Sequence, residues 1–161
     1  MATPTPHPIL LIGLNPLDPP PNAPVSPHVL ASIANKISLD VARAARNGFP
    51  CTIRYLDWRS PFTALAELEE VLVQGPGYEE PSDEGSEGAS NGIDAKADAS
   101  PKWSAILFGQ GLRMYANPEL FEGAIERVRR VCAGDVKVLF NDGADRQCAA
   151  LERGFCVRMG E

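Results

Sequence analysis

A chain of 161 residues with 44% hydrophobic content is the size of one domain and can bury a core of its own. A formal net charge of -6 with only 22% charged residues argues against a nucleic-acid partner, since phosphate binding needs clustered Lys and Arg and no basic stripe is present. No apolar stretch is long enough to span a bilayer and no secretory signal pattern is present, so a cytoplasmic protein without a membrane partner is expected.

The first 27 residues hold nine of the fifteen prolines, and these flank a continuous apolar run, Ile-Leu-Leu-Ile-Gly-Leu, at 9–14. A strand apolar on both faces belongs at the centre of a parallel sheet. Asn15 and Pro16 end it, and a proline-rich loop follows over 16–27. Ser26 and Pro27 then read as an N-cap with proline at the first helical position. Val29, Ile33, Ile37 and Val41 recur every four residues until Asn47-Gly48 supplies a stop, which predicts a long amphipathic helix. The β-rich, alternating stretch at 51–56 suits a strand nearer the sheet edge. Ser60-Pro61 opens a second helix bearing Leu65, Leu68, Val71 and Leu72.

A change of composition follows. Residues 75–101 are rich in Gly, Ser, Ala and Pro, and between Glu79 and Asp98 they carry seven acids against one base. That segment holds the whole net charge, because the remainder has 14 acids and 14 bases. With almost no large apolar side chain it cannot offset its ordering entropy, so a flexible acidic surface insertion is expected.

The pattern resumes with a third strand at 103–109, a loop at 110–116, and a helix starting at Asn117-Pro118. Phe121, Ala124, Ile125 and Val128 form its apolar face, with acids early and bases late as the helix dipole favours. A fourth strand at 136–140 and a last helix at 144–154 complete the series. The four cysteines, Cys51, Cys132, Cys148 and Cys156, form no CxxC pair and have no histidine nearby, so reduced structural thiols and no metal site are expected.

Four β-α units with right-handed crossovers predict a small doubly wound α/β domain over 1–161, flavodoxin-like or Rossmann-like, with parallel strands in the order 2-1-3-4. Its topological switch lies between the first and third strands, and a ligand is expected at their carboxyl edge. The polar groups that should converge there are Asn15, Asp57, Arg59, Gly109, Gln110, Gly111, Arg113 and Asn141. Gly109-Gln110-Gly111 could bring backbone N–H groups to an anion, with Arg113 as a clamp, or could serve a tight turn. Asp57 could act as a general base, or simply cap the next helix or pair with Arg59. His28, in the first helical turn, is the other candidate proton carrier, its neutral form favoured by the helix N-terminus; a solvent-facing or local capping role is the alternative.

Two resemblances attach to particular residues. Gly13-Leu14-Asn15-Pro16 resembles the G-x-N-P strand end of mismatch-specific uracil glycosylases, in which the Asn helps activate water. The second H-P-S or N-P-S loop of that family is absent here and the net charge is negative, which argues against base excision. Most of the chain, from the first strand through Gly109-x-Gly111-x-Arg113, the 117–122 segment Asn-Pro-Glu-Leu-Phe-Glu and Phe140-Asn141, resembles small uncharacterised α/β proteins of bacteria and fungi. That resemblance implies the fold and the placement of Arg113 and Asn141, and names no reaction. Response-regulator receivers would need an acidic pair after the first strand, where Asn15 stands. Flavin binding would need a Ser/Thr-rich first loop, where prolines stand.

Two functions are therefore expected from different classes. One is a small-molecule site, in the form of a cofactor-independent enzyme acting on an anionic or carbonyl-bearing metabolite, with Arg113 and the Gly111 amide holding charge and Asp57 or His28 moving the proton. The other is a non-catalytic protein-interaction or regulatory module that uses the acidic insertion and the proline-rich loop. A homodimer through an exposed helix face or edge strand suits either. Replacing residues 77–100 by a short Gly-Ser linker should leave the melting midpoint of the chain nearly unchanged, because the segment brings almost no apolar burial. A lost or broadened thermal transition would show that the segment packs.

Overall fold

The computed structural model describes residues 5–23, 26–77, 102–132 and 134–160. The core of the acidic insertion, 78–101, lies outside the described residues. Among the described residues four strands, β1 (Ile9–Gly13), β2 (Cys51–Tyr55), β3 (Ala105–Phe108) and β4 (Lys137–Phe140), form one sheet in the order β2-β1-β3-β4. Every pairing is parallel, with Ile9 opposite Cys51 on one side and Ala105 on the other. Among the described residues five helices accompany them: α1 (Pro27–Arg46), α2 (Pro61–Gln74), α3 (Gln110–Tyr115), α4 (Pro118–Val131) and α5 (Gln147–Phe155). This is the doubly wound α/β arrangement the sequence predicts.

Side chains alternate across a strand, so the apolar run of β1 must feed two cores. Leu10 and Ile12, with Ile106 and Phe108 of β3, pack against Leu65, Leu68 and Leu72 of α2 and Leu120, Ala124 and Val128 of α4. Ile9 and Leu11, with Ala105 and Leu107, pack against Ala44 of α1 and Cys148, Ala150 and Leu151 of α5. The α2 and α4 axes approach closely because Gly123 has no side chain; a Cβ there would lie 2.5 Å from Leu65 Cδ1. β2 and β4 are the edge strands, and on β4 Lys137, Val138 and Phe140 are exposed.

Three expectations change in detail. The segment 110–116, expected to be a loop, is helical over Gln110–Tyr115. A six-residue helix containing glycine is not stable by itself. It forms here because Leu112 is fully buried and the Asn141 side chain accepts the first helical N–H, from Gln110, at 2.7 Å. Secondly, Val29, the first of the four-residue series on α1, is 43% exposed, whereas Ile37 and Val41 pack against the core as expected and Leu30, Asp40 and Ala44 are the buried positions beside them. Thirdly, the last helix begins at Gln147, three residues later than 144.

Asp40 explains that later start. α5 has no side-chain cap of its own at Arg146. Instead the Asp40 carboxylate, in the middle of α1 and only 8% exposed, accepts the backbone N–H of Cys148 at 2.9 Å. One helix thus supplies the N-terminal acceptor that the other lacks. The Cys148 thiol donates in turn to the Asp40 backbone carbonyl at 3.3 Å. Burial pushes the Cys51 and Cys148 thiols up to about 12, with Asp40 adding to both, so these remain protonated, as expected of structural cysteines. All four cysteines are free.

Asp40→Ala should destabilise the fold by about 1–3 kcal/mol, because the Cys148 N–H is left buried without an acceptor. Asp40→Asn keeps an oxygen there and should cost less. Urea unfolding of the two variants checks the order; equal loss in both would show that the charge, and not the hydrogen bond, matters.

Candidate functional site

The carboxyl ends of β1 and β3 diverge towards opposite helices, and a cavity of about 180 Å³ lies there. Its floor is Leu11 and Gly13 of β1 with Gly109 at the end of β3. Leu30, Ile33 and Ile37 of α1 form one wall, and Gly143, Ala144 and Gln147 before and within α5 form the other. Pro16, Pro19 and Pro20 cover it from the loop after β1, while Tyr55 and Tyr115 stand at the ends of β2 and α3. Among the described residues that line it, none bears a formal charge. The polar side chains are the two phenols and four carboxamides, those of Asn15, Gln110, Asn141 and Gln147. Partial burial holds the Tyr55 phenol above its ordinary pKa, keeping it neutral.

Asn141 anchors the inner end. It is 2% exposed; its backbone N–H donates to the Phe108 carbonyl at 3.1 Å, joining the ends of β4 and β3. Its Oδ1 accepts from Gln110 N–H, and its carbonyl accepts from Arg113 Nη2 at 2.7 Å. Every group of Asn141 except Nδ2 is therefore engaged. Gln147 differs: it is 1% exposed, and its Oε1 has no hydrogen-bond partner among the described residues.

The proline-rich loop is strapped down from the β2 side. Asn15 Oδ1 accepts from Leu17 N–H at 3.0 Å, an Asx turn that redirects the chain as it leaves β1. Asp18 pairs through both carboxylate oxygens with Arg59, with Oδ1 2.6 Å from Nη2. The Arg59 guanidinium lies 4.3 Å from the centre of the Trp58 ring, and the Trp58 indole N–H donates to the Asp18 carbonyl at 3.1 Å. Arg59 holds the Asp18 carboxyl below its ordinary range, chiefly by this hydrogen bonding.

The residues nominated from sequence thus separate into two groups. Asn15, Gly109, Gln110, Gly111 and Asn141 converge on the cavity. Arg113, Arg59, Asp57 and His28 do not line it. Arg113 is directed to the Asn141 carbonyl and lies 5.7 Å from the centre of the Phe140 ring. Asp57 Oδ1 accepts from the Arg59 backbone N–H at 2.9 Å, the local turn role. His28 is exposed on the first turn of α1. Two amides of the glycine turn are already taken, Gly109 N–H by the Ile12 carbonyl and Gln110 N–H by Asn141. A Cβ at Gly109 would stand 3.4 Å from the Ile12 carbonyl oxygen, in contact with the β1 backbone.

Tyr55 and Gln147, which the chain's strand-end pattern does not single out, also line the cavity. Gln147 carried a signal: a glutamine in the same helical turn as Cys148, on the side of α5 that faces the sheet. Among the described residues no group of three or more potential ligands could hold a metal, and no helix is long and apolar enough to cross a membrane. No protein-family model, curated protein or solved structure matches this chain.

The Asp18 strap makes a pH prediction. A carboxyl whose folded pKa is depressed contributes fully at neutral pH and loses that contribution only as pH falls through the lowered value. The Trp58 indole N–H resonance should therefore titrate with a midpoint below the ordinary carboxylate range. In Asp18→Asn this transition should vanish, and amide exchange over 16–23 should quicken with little change in global melting. A midpoint at the ordinary carboxylate value would mean that the pair does not hold in solution.

Proposed function

We propose that this protein binds a small, uncharged, largely apolar molecule carrying a carbonyl group in the cavity at the carboxyl edge of its sheet. The observation that carries this reading is the lining itself: apolar walls, four carboxamides and no charged side chain among the described residues. An anion placed there would be desolvated without a cationic partner, whereas a neutral carbonyl needs only one donor. The volume, about 180 Å³, suits a single ring or a short branched chain. Acid-base chemistry has little support at this position. No carboxylate, imidazole, amine or thiol lines the cavity among the described residues, and the phenols are poor proton carriers near neutrality. Holding the molecule, as a sensor or carrier does, fits better than converting it.

Titrating the full chain with cyclohexanone and with cyclohexanecarboxylate, followed by amide NMR, tests this. Cyclohexanone should give saturable shifts at Gly111, Asn141 and Gln147, and the carboxylate should bind at least about tenfold more weakly, as an unpaired desolvated charge requires. Ile33→Trp, which enlarges a wall residue into the cavity, should abolish the shifts while the chain still melts cooperatively. If neither probe perturbs the lining, or the acid binds better, the reading is wrong.

A further inference from the structure

Strand β4 ends the sheet with its backbone only half used. Lys137 N–H donates to the Ser104 carbonyl at 3.2 Å and Asn141 N–H to the Phe108 carbonyl at 3.1 Å. Backbone groups of alternate residues point to opposite edges, so Val136, Val138 and Phe140 direct theirs outward, away from β3. Among the described residues the Phe140 carbonyl alone finds a partner, Arg153 Nη2 at 3.3 Å, and it keeps a second lone pair. Val138 and Phe140 are also 43% and 39% exposed, two apolar side chains on one face of a free edge. The other edge strand, β2, carries in its middle Arg54, paired with Glu67, and charge blunts an edge. The charge of β4, on Lys137, lies 5.4 Å from the centre of the Phe155 ring, on the α5 face.

Helix α4 completes this surface. One flank meets α2, with Gly123 against Leu65 and with Arg127 and Arg130 on Glu69. The opposite flank overhangs β4 and bears half-buried Phe121 and Ile125 with exposed Glu122 and Arg129. Neither of these two charges has an ion-pair partner among the described residues. The Phe108 ring lies 5.5 Å from that of Phe140 and 6.1 Å from that of Phe121, which sets Phe121 level with Phe140. One helical turn on, Ile125 is level with Val138, because a turn of helix and two residues of strand rise by similar amounts.

We propose that the β4 edge is where two copies of this chain join, β4 pairing antiparallel with its counterpart about a two-fold axis at Val138. In that register Val138 exchanges both backbone bonds with Val138 of the second copy, and Val136 does so with Phe140, so that every outward group of the strand is used. The two α4 helices then lie antiparallel on one face of the continuous sheet, about 8–10 Å apart. With Ile125 level with the axis, Glu122 of each copy faces Arg129 of the other. Backbone, apolar side chains and charges are thus all self-complementary, as an isologous contact requires. On the opposite face α5 carries like charges, Arg146 and Arg153, so the side-chain contact falls to α4. This reading is independent of any ligand in the cavity.

Sedimentation of the full chain from about 1 to 500 μM should show the weight-average mass rising towards twice that of the monomer. Val138→Pro removes an N–H that the single chain does not use, at an edge position where proline is tolerated, and should weaken the dimer at least about tenfold. Arg129→Glu and Glu122→Arg should each weaken it by a similar factor, since like charges then meet across the axis. The double swap, Glu122→Arg with Arg129→Glu, should restore the parent affinity to within about threefold. At the lowest concentration the charge variants should melt as the parent does. A parent that stays monomeric throughout overturns the proposal, and so does a dimer indifferent to Val138→Pro and to the single charge reversals. Reversals that weaken the dimer without rescue by the double swap overturn it too, because the charges then do not face each other. Should Val138→Pro fail to fold, the charge swap decides the matter.

Discussion

The Asp40 carboxylate holds the geometry of this molecule together. Placed in the middle of α1, it accepts the Cys148 N–H and so fixes the first turn of α5 against its neighbour. Gln147 is the preceding residue, which means that the acceptor closing the helix end also determines where a cavity wall stands. Without that bond the first turn of α5 would have to find its acceptors in water, and the apolar chamber between α1 and α5 would open. A single buried carboxylate is costly unless hydrogen-bonded, and Asp40 is bonded to backbone on the partner helix. The chain's stability and the cavity's shape therefore share one interaction.

The carboxyl edge of the sheet shows how charge and neutrality divide their duties. Charged groups that reach this edge find partners close by: Arg113 with the Asn141 carbonyl, Arg59 with Asp18, and Asp57 with the turn before α2. Each of these contacts fixes a loop in place, and none of the charged residues themselves lines the cavity. What is left facing the interior is uncharged, because only neutral amides and apolar side chains tolerate partial desolvation without a counter-ion. The prolines of the first loop add stiffness from the unfolded side, since they limit the conformations that must be given up on ordering. Pro16 and Pro20 are buried, so the loop acts as a roof whose position is set by Asn15 at one end and the Asp18 strap in the middle.

A cavity of this kind differs from the anion sites common at this edge of doubly wound folds, where glycine-turn amides and a helix N-terminus meet a phosphate. Here Gly109 brings the backbones of β1 and β3 together, and its N–H is used in doing so. Asn141 then occupies the next amide. The turn that a phosphate would use elsewhere is here consumed in assembling the site.

Much of this fold was legible in the chain because it rests on local periodicity. The two-sided apolar run at β1 required a central strand, Ser60-Pro61 and Asn117-Pro118 marked helix starts, and the alternation of units required a parallel sheet with its switch point between β1 and β3. From the switch point, Asn15, Gly109, Gln110, Gly111 and Asn141 followed, since backbone direction alone brings strand ends together. The sequence could not disclose which polar side chains would be used up by one another. Arg113 and Asn141 are 28 positions apart and Asp40 and Cys148 are 108 apart, and pairings at such separations leave no periodic trace. The same holds for α3, whose glycine-containing six residues are helical only because Asn141 and the core hold them so. Residue type and local spacing therefore determined the architecture and the edge at which a site must lie; tertiary hydrogen bonding alone decided that the cavity lining is uncharged and which of its polar groups are used up within the chain.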